Sequence, residues 1–237
     1  MTQNLGKFFG VGVGPGDPEL LTLKAIRIIK NSDVIYVPTK STIDKSFALS
    51  IIKDYILNSE IKPAVFPMSY NEKILAEHRE KIVNSIIGDL KEKKIVTFIT
   101  IGDPMLYSTY AYILELIKEK MPEIPVETIP GISSINILSA KSNIPLAEED
   151  EKIAIYPLTH FNEDEFKKIY ENSDTIILMK FPKESKEIIE KIKDFKFKKI
   201  VYMKNICKDG EVLRYDLDEK ELFLNVKKYF TIVLLKK

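Results

Sequence analysis

Short apolar runs alternate along this chain with longer stretches in which apolar positions recur every three or four residues. Residues 7–13 and 95–100 are rich in β-branched and aromatic side chains and read as strands. Residues 21–31 carry Leu21, Ala25, Ile28 and Ile29 at helical spacing. A short run over 33–37 is stopped by Pro38, a helix is expected over 45–57, and a strand over 63–66. Residues 72–93 predict a long amphipathic helix with Ile74, Ile82, Ile86 and Leu90 on one face. A helix over 108–120 completes a β-α alternation that predicts an α/β sheet of mainly parallel strands.

Met121-Pro-Glu-Ile-Pro125 interrupts this rhythm, because two prolines in four residues cannot continue a helix. The expected domains are therefore 1–121 and 122–237, both α/β. The second half predicts strands at 126–129, 152–156, 175–180, 199–205 and 229–235. Helices are expected at 132–142, 163–170 and 185–193. Asp209-Gly210 is a hairpin signal between residues 201–206 and 211–215, so this half should carry a mixed sheet.

Composition then narrows the function. With 45% hydrophobic and 30% charged residues, the 237-residue chain is globular rather than disordered. The 36 basic and 35 acidic residues leave a net charge of +1, which speaks against a nucleic-acid or membrane-surface partner. One cysteine, Cys207, and two histidines, His78 and His160, are a poor metal inventory, so no protein-bound metal is expected. No apolar run reaches the roughly 18 residues of a membrane span. The first residues reach a glycine cluster before any signal-peptide core, and a cytoplasmic location is expected.

Glycine is the sharper clue. Average usage of about 7% would give about 17 glycines; this chain has nine, and Gly10, Gly12, Gly14 and Gly16 fall together. They lie in Gly10-Val-Gly-Val-Gly-Pro-Gly-Asp-Pro-Glu-Leu-Leu-Thr-Leu-Lys24, which ends a strand and opens a helix. A phosphate cradle is the obvious candidate, but the spacing refuses it. In the dinucleotide pattern Pro15 or Asp17 stands where the third glycine belongs, and the P-loop pattern fails from every start. Pro15 and Pro18 remove two N–H donors, and Asp17 and Glu19 would repel an anion. Either a strained turn without ligand, or close approach of a ligand or another backbone, accounts for the glycines; four in one turn favour close approach.

Two further turns follow strands. Thr100-Ile-Gly-Asp-Pro-Met-Leu-Tyr-Ser-Thr109 offers Asp103 as a helix cap or as an acceptor for a ligand amine or hydroxyl. Ile129-Pro-Gly-Ile-Ser-Ser134 is a Pro-Gly turn with a serine cap, or a third wall of the same site.

The three motifs occur in the order and spacing of the tetrapyrrole methylase family, which the chain resembles over essentially its whole length. Within that family it is similar to the group that methylates C20 of precorrin-2 or its cobalt complex. That likeness rests on residues 11–25, Tyr107-Ser-Thr109, Pro145-Leu146 and Tyr229-Phe-Thr-Ile-Val233. The resemblance implies the two-domain class III methyltransferase fold, with a mainly parallel N-terminal and a mixed C-terminal sheet. It implies S-adenosylmethionine bound in a cleft between the domains, and usually a homodimer. Carried over by position, Pro15, Ile101, Gly102, Asp103, Leu106, Ser133, Ser134 and Met179 would line the methyl donor, with a further contact near Asn205 or Ile206.

The implied reaction moves the donor methyl to C20 of a dihydrotetrapyrrole in corrin biosynthesis. Asp17 and Tyr107 are candidates for a base that removes the C20 proton, with ordered water as a third. The substrate's carboxylate arms call for local cations; Arg27, Arg79 and Arg214 are the arginines, and Lys40 follows a strand end. Two alternatives remain: methylation of a different ring carbon, or a non-catalytic nucleotide-binding module.

Overall fold

The computed structural model describes residues 5–40, 46–67, 69, 71–182, 185–215 and 231–237. The chain divides into two compact units, Met1–Ser133 and Ser134–Lys237.

The first unit is built on five parallel strands: β1 (Lys7–Gly12), β2 (Val34–Thr39), β3 (Glu60–Val65), β4 (Ile95–Thr100) and β5 (Val126–Ile129), in the order β3-β2-β4-β1-β5. Helices α1 (Leu23–Lys30), α2 (Phe47–Ile52), α3 (Glu72–Lys91) and α4 (Tyr110–Lys120) connect them. The period of two along each strand sorts the core into two layers. Phe8, Val34, Tyr36, Val96 and Phe98 face α3 and α4, meeting Ile82, Ile86, Tyr110 and Ile113. Phe9, Val11, Ile35, Val37 and Ile99 face α1 and α2, meeting Ala25, Ile29, Ala48 and Ile51. A sheet buried on both faces explains the nearly continuous apolar strands.

Pro38 does not stop β2 as expected. The ladder to β4 has ended at Tyr36 by then, while the ladder to β3 runs on to Thr39 opposite Val65. Ile74 departs from its expected face; it is exposed, and Ile82, Ile86 and Leu90 carry the buried side of α3. The first unit also extends past the expected boundary at 121/122. The prolines end α4, but β5 returns to pair with β1 from Phe8–Val126 to Val11–Ile129, so the division falls at Ser133.

The second unit carries β6 (Ile153–Pro157), β7 (Thr175–Met179), β8 (Lys199–Lys204), β9 (Val212–Arg214) and β10 (Thr231–Lys236), in the order β6-β7-β10-β8-β9. Only β6 and β7 are parallel; the other pairs are antiparallel, giving the mixed sheet expected. Helices α6 (Glu163–Asn172) and α7 (Ser185–Ile192) bury Phe166, Ile189 and Ile192 against Ile176, Leu178, Tyr202 and Val233. Helix α5 (Ser134–Ser142) packs on β8 and β10. Tyr229 and Phe230, expected to open the last strand, lie outside the described residues.

Candidate functional site

The strand order creates a topological switch point in the first unit. From β1 the chain leaves through α1 on one face of the sheet toward β2; from the adjacent β4 it leaves through α4 on the other face toward β5. Connections that part from neighbouring strands open a crevice at their carboxyl ends, where ligands bind in open α/β sheets. The three glycine turns meet there.

Their contacts are backbone to backbone. Val13 N–H donates to Thr100 C=O at 2.9 Å, and Gly102 N–H donates to Gly14 C=O at 2.7 Å. A Cβ on Gly12 would lie 2.6 Å from both the Gly102 carbonyl oxygen and the Gly131 nitrogen, and one on Gly131 would lie 2.2 Å from that same oxygen. Glycine is required because three main chains occupy the space of side chains. Gly102 is different: its φ is +71° and nothing lies within 4 Å of the position a Cβ would take, so it faces open space. The sequence cluster therefore splits by role. Gly10 and Gly12 belong to β1, with Gly10 making room for the Tyr110 ring, while Gly14 and Gly16 form the turn proper.

Asp103 holds the turns together. Its Oδ1 accepts from Met105 N–H at 2.8 Å and its Oδ2 from Gly131 N–H at 3.1 Å. It does not cap α4; that first turn is served by the Ser108 hydroxyl, which accepts from Tyr110 N–H at 3.1 Å. The Tyr110 hydroxyl pairs with the Thr128 hydroxyl at 2.8 Å, fixing α4 to β5, and burial pushes this phenol's pKa up. Asp17 caps a single 3-10 turn over Pro18–Leu20, its Oδ1 accepting from Glu19 N–H at 2.9 Å, and Pro15 beside it is buried. Tyr107 has φ +53°, which a bulky residue rarely adopts, and its ring is exposed together with Ile101 and Met105. Leu106 and Ser133 are half-buried.

A family model described as Tetrapyrrole (Corrin/Porphyrin) Methylases matches residues 7–221. The chain belongs to this family. A probable cobalt-precorrin-2 C(20)-methyltransferase of Methanocaldococcus jannaschii is 43% identical over 180 residues, covering 76% of this chain and 74% of that protein. A cobalt-precorrin-2 C(20)-methyltransferase of Salmonella typhimurium is 33% identical, covering 74% of this chain and 73% of its own. Among solved structures, uroporphyrin-III C-methyltransferase of Thermus thermophilus complexed with S-adenyl homocysteine shares the fold, with a TM-score of 0.68 at 18% identity over 98% of both chains.

This tetrapyrrole methylase places its remaining candidates as follows. Ser134 opens α5, and Met179 ends β7, half-buried before Lys180 at φ +55°. Leu178, the residue before Met179, stands level with Tyr202, with Val233 of β10 between them. Asn205, at φ +53°, begins the β8–β9 turn, and Cys207 lies in that turn. Arg79 is committed within the first unit: it pairs with Glu72 at 2.6 Å and stacks on Tyr112 at 4.2 Å. Arg27, Lys40 and Arg214 are exposed.

Sequence reasoning missed the Tyr36–Asp89 network beneath the sheet. Asp89 is buried and accepts from the Tyr36 hydroxyl at 2.7 Å, from Lys62 at 2.8 Å and from Lys94 at 3.2 Å. Burial alone would raise the Asp89 carboxyl, but these hydrogen bonds outweigh it and hold the pKa below its usual range. Burial, reinforced by Asp89, pushes the Tyr36 phenol well above its ordinary value. A buried Asp paired with Lys62, 27 residues away, leaves no local sequence signal.

Proposed function

We propose that this chain methylates C20 of precorrin-2, in its cobalt-bearing form, using S-adenosylmethionine. The observation that carries the donor site is the switch-point crevice, walled by three glycine turns that contain not one lysine or arginine. The cobalt-bearing substrate is supported by the two relatives named for it, at 43% and 33% identity.

The residues present suit this donor better than a phosphate. Pro15 and Pro18 offer no N–H groups, and Asp17, Glu19 and Asp103 add negative charge. Such a lining favours a cation and disfavours a polyphosphate. When bound, the donor supplies a methyl group already activated on a positively charged sulfur. The chain's own task is then to orient the reactants and keep water away. Positioning of this kind contributes roughly 7–11 kcal/mol. Gly102, in open space at +71°, gives the donor access to main chain. We assign Pro15, Ile101, Leu106, Ser133, Ser134 and Met179 to the donor, and the exposed apolar surface of Met105 and Tyr107 to excluding water. Asp17 and Tyr107 stay the candidates for receiving the C20 proton; the capping bond of Asp17 occupies one of its two oxygens. Arg27, Lys40 and Arg214 are the proposed partners of substrate carboxylates.

We further propose a cytoplasmic homodimer; among the described residues no helix is long and apolar enough to cross a membrane. Light scattering reads the dimer directly. Calorimetry with S-adenosylhomocysteine and ATP tests the donor site: binding of the thioether alone is expected, and ATP binding without it would favour a nucleotide-binding module instead. Transfer of labelled methyl to cobalt-precorrin-2 tests the reaction.

A further inference from the structure

In the second unit β10 is antiparallel to both β7 and β8, and β6 is parallel to β7. The carboxyl ends of β6, β7 and β8 therefore share one end of the sheet, the end at which α/β sheets bind ligands. Met179 ends β7 there, and residues 205–211 leave β8 there before turning into β9.

This connection is strained and closely tied. Asn205 and Cys207 hold φ of +53° and +52°, a region that residues other than glycine adopt at a cost, and Gly210 holds +73°. Lys208 N–H donates to Asn205 C=O at 3.0 Å, Glu211 N–H to Lys208 C=O at 3.1 Å, and the Asn205 side-chain amide to Gly210 C=O at 3.2 Å. The Glu211 carboxylate completes the loop. Its Oε2 accepts from Cys207 N–H at 2.6 Å, and its two oxygens accept from the Lys141 ammonium at 2.5 and 2.7 Å. Lys141 belongs to α5, which opens at Ser134 and packs on β8. These partners outweigh burial and hold the Glu211 pKa below the usual carboxylate range.

An exposed ion pair by itself contributes little. Here the same carboxylate also holds a backbone N–H group, and both bonds are charge-assisted. One side chain thus fixes a left-handed main chain and ties it to the helix whose first residue, Ser134, is assigned to the donor.

We propose that Glu211 is a positioning residue for the methyl donor: with Lys141 it sets the main chain of Asn205 and Ile206 at the end of the sheet that Met179 also reaches. This rests on the donor-site reading above and deepens it.

Cys207, the one cysteine of the chain, is half-buried in the loop, so its thiol reports on the loop's opening. The test uses Glu211→Ala, Glu211→Gln, Lys141→Met and Lys141→Arg in the full chain. Without ligand, an aromatic disulfide reagent should label Cys207 about tenfold faster in Glu211→Ala than in wild type. Glu211→Gln keeps an acceptor for Cys207 N–H and loses the charged tie to α5, as Lys141→Met does, so both should fall between. Lys141→Arg keeps a cation that grips both carboxylate oxygens and should restore the wild-type rate. Calorimetry with S-adenosylhomocysteine should follow the same order, with about a tenfold loss of affinity in Glu211→Ala. In the methyl-transfer assay the KM for S-adenosylmethionine should rise by that factor, while the KM for cobalt-precorrin-2 stays within about twofold.

A wild-type labelling rate in Glu211→Ala overturns the proposal, because the carboxylate then does not hold the loop. Faster labelling with wild-type affinity for S-adenosylhomocysteine overturns it too, because the loop then serves the fold alone. If the alanine variant does not fold, Glu211→Gln and Lys141→Met carry the same two comparisons. A wild-type chain that binds no S-adenosylhomocysteine defeats the donor-site reading, and the role of Glu211 toward the donor with it. The ligand-free labelling rates then still show whether Glu211 holds the loop, so the two failures are told apart.

Discussion

Adding one methyl group at Gly131 tests the glycine junction. The Cβ of Gly131→Ala would lie 2.2 Å from the Gly102 carbonyl oxygen and 2.8 Å and 2.9 Å from Gly12 C and Cα. Ordinary carbon–oxygen contacts begin near 3.3 Å, so the turns must separate by roughly 1 Å. The Asp103–Gly131 bond, already 3.1 Å, does not survive that movement. Overpacking costs about 1–3 kcal/mol and the lost charged hydrogen bond about 1.5–3 kcal/mol. A total of about 2.5–6 kcal/mol, a large fraction of a domain's stability, is expected. The control is Gly102→Ala, where nothing crowds the new methyl and only the φ of +71° resists, at about 1–2 kcal/mol. Urea unfolding and S-adenosylhomocysteine calorimetry on both variants separate the effects. Gly131→Ala should lose more stability than Gly102→Ala. Gly102→Ala should lose at least tenfold in affinity, because its methyl enters the space assigned to the donor. Wild-type stability in Gly131→Ala would refute the account of the junction.

Other outcomes follow from the same geometry. The folded-state pKa of Asp89 lies below its unfolded value of about 3.9, so its stabilisation is full above that pH and is lost as pH falls through the lower folded value. Asp89→Asn should cost about 2 kcal/mol at pH 7 and flatten the acid limb of stability, measured by urea melts from pH 7 to pH 3. Tyr110→Phe leaves the Thr128 hydroxyl without its partner and should cost about 1 kcal/mol in the same assay. Lys236→Met removes the ammonium that joins β10 to Glu151 at 2.8 Å and to the Pro145 carbonyl at 3.2 Å. It should speed protease cleavage over residues 145–151.

Much of this was legible along the chain for physical reasons. Strands buried on both faces must be apolar throughout, and helices on a sheet must be amphipathic, so the β-α alternation over 7–120 stood out. The mixed second sheet was readable from Asp209-Gly210, whose hairpin forces β8 and β9 antiparallel. What failed was long-range. The prolines at 122 and 125 mark a real break in helix, yet only the ladder between β5 and β1 decides which sheet the next strand joins. Pro38 was read by local rules, while the end of one ladder beside it made its missing N–H harmless. The motifs named turns that the fold brings together, but not the backbone contacts between them. The bond from Asp103 to Gly131, 28 residues away, leaves no local signal, and of the two kinds of close approach expected at the glycines, that of another backbone is seen at Gly12 and Gly131.

The central claim is transfer of a methyl group to one carbon. Purified protein incubated with carbon-13-methyl S-adenosylmethionine and cobalt-precorrin-2 should give one new labelled methyl signal, which carbon-13 NMR assigns to C20, with one equivalent of S-adenosylhomocysteine released. A labelled methyl at any other ring carbon, or no transfer from a donor that calorimetry shows to be bound, would contradict it.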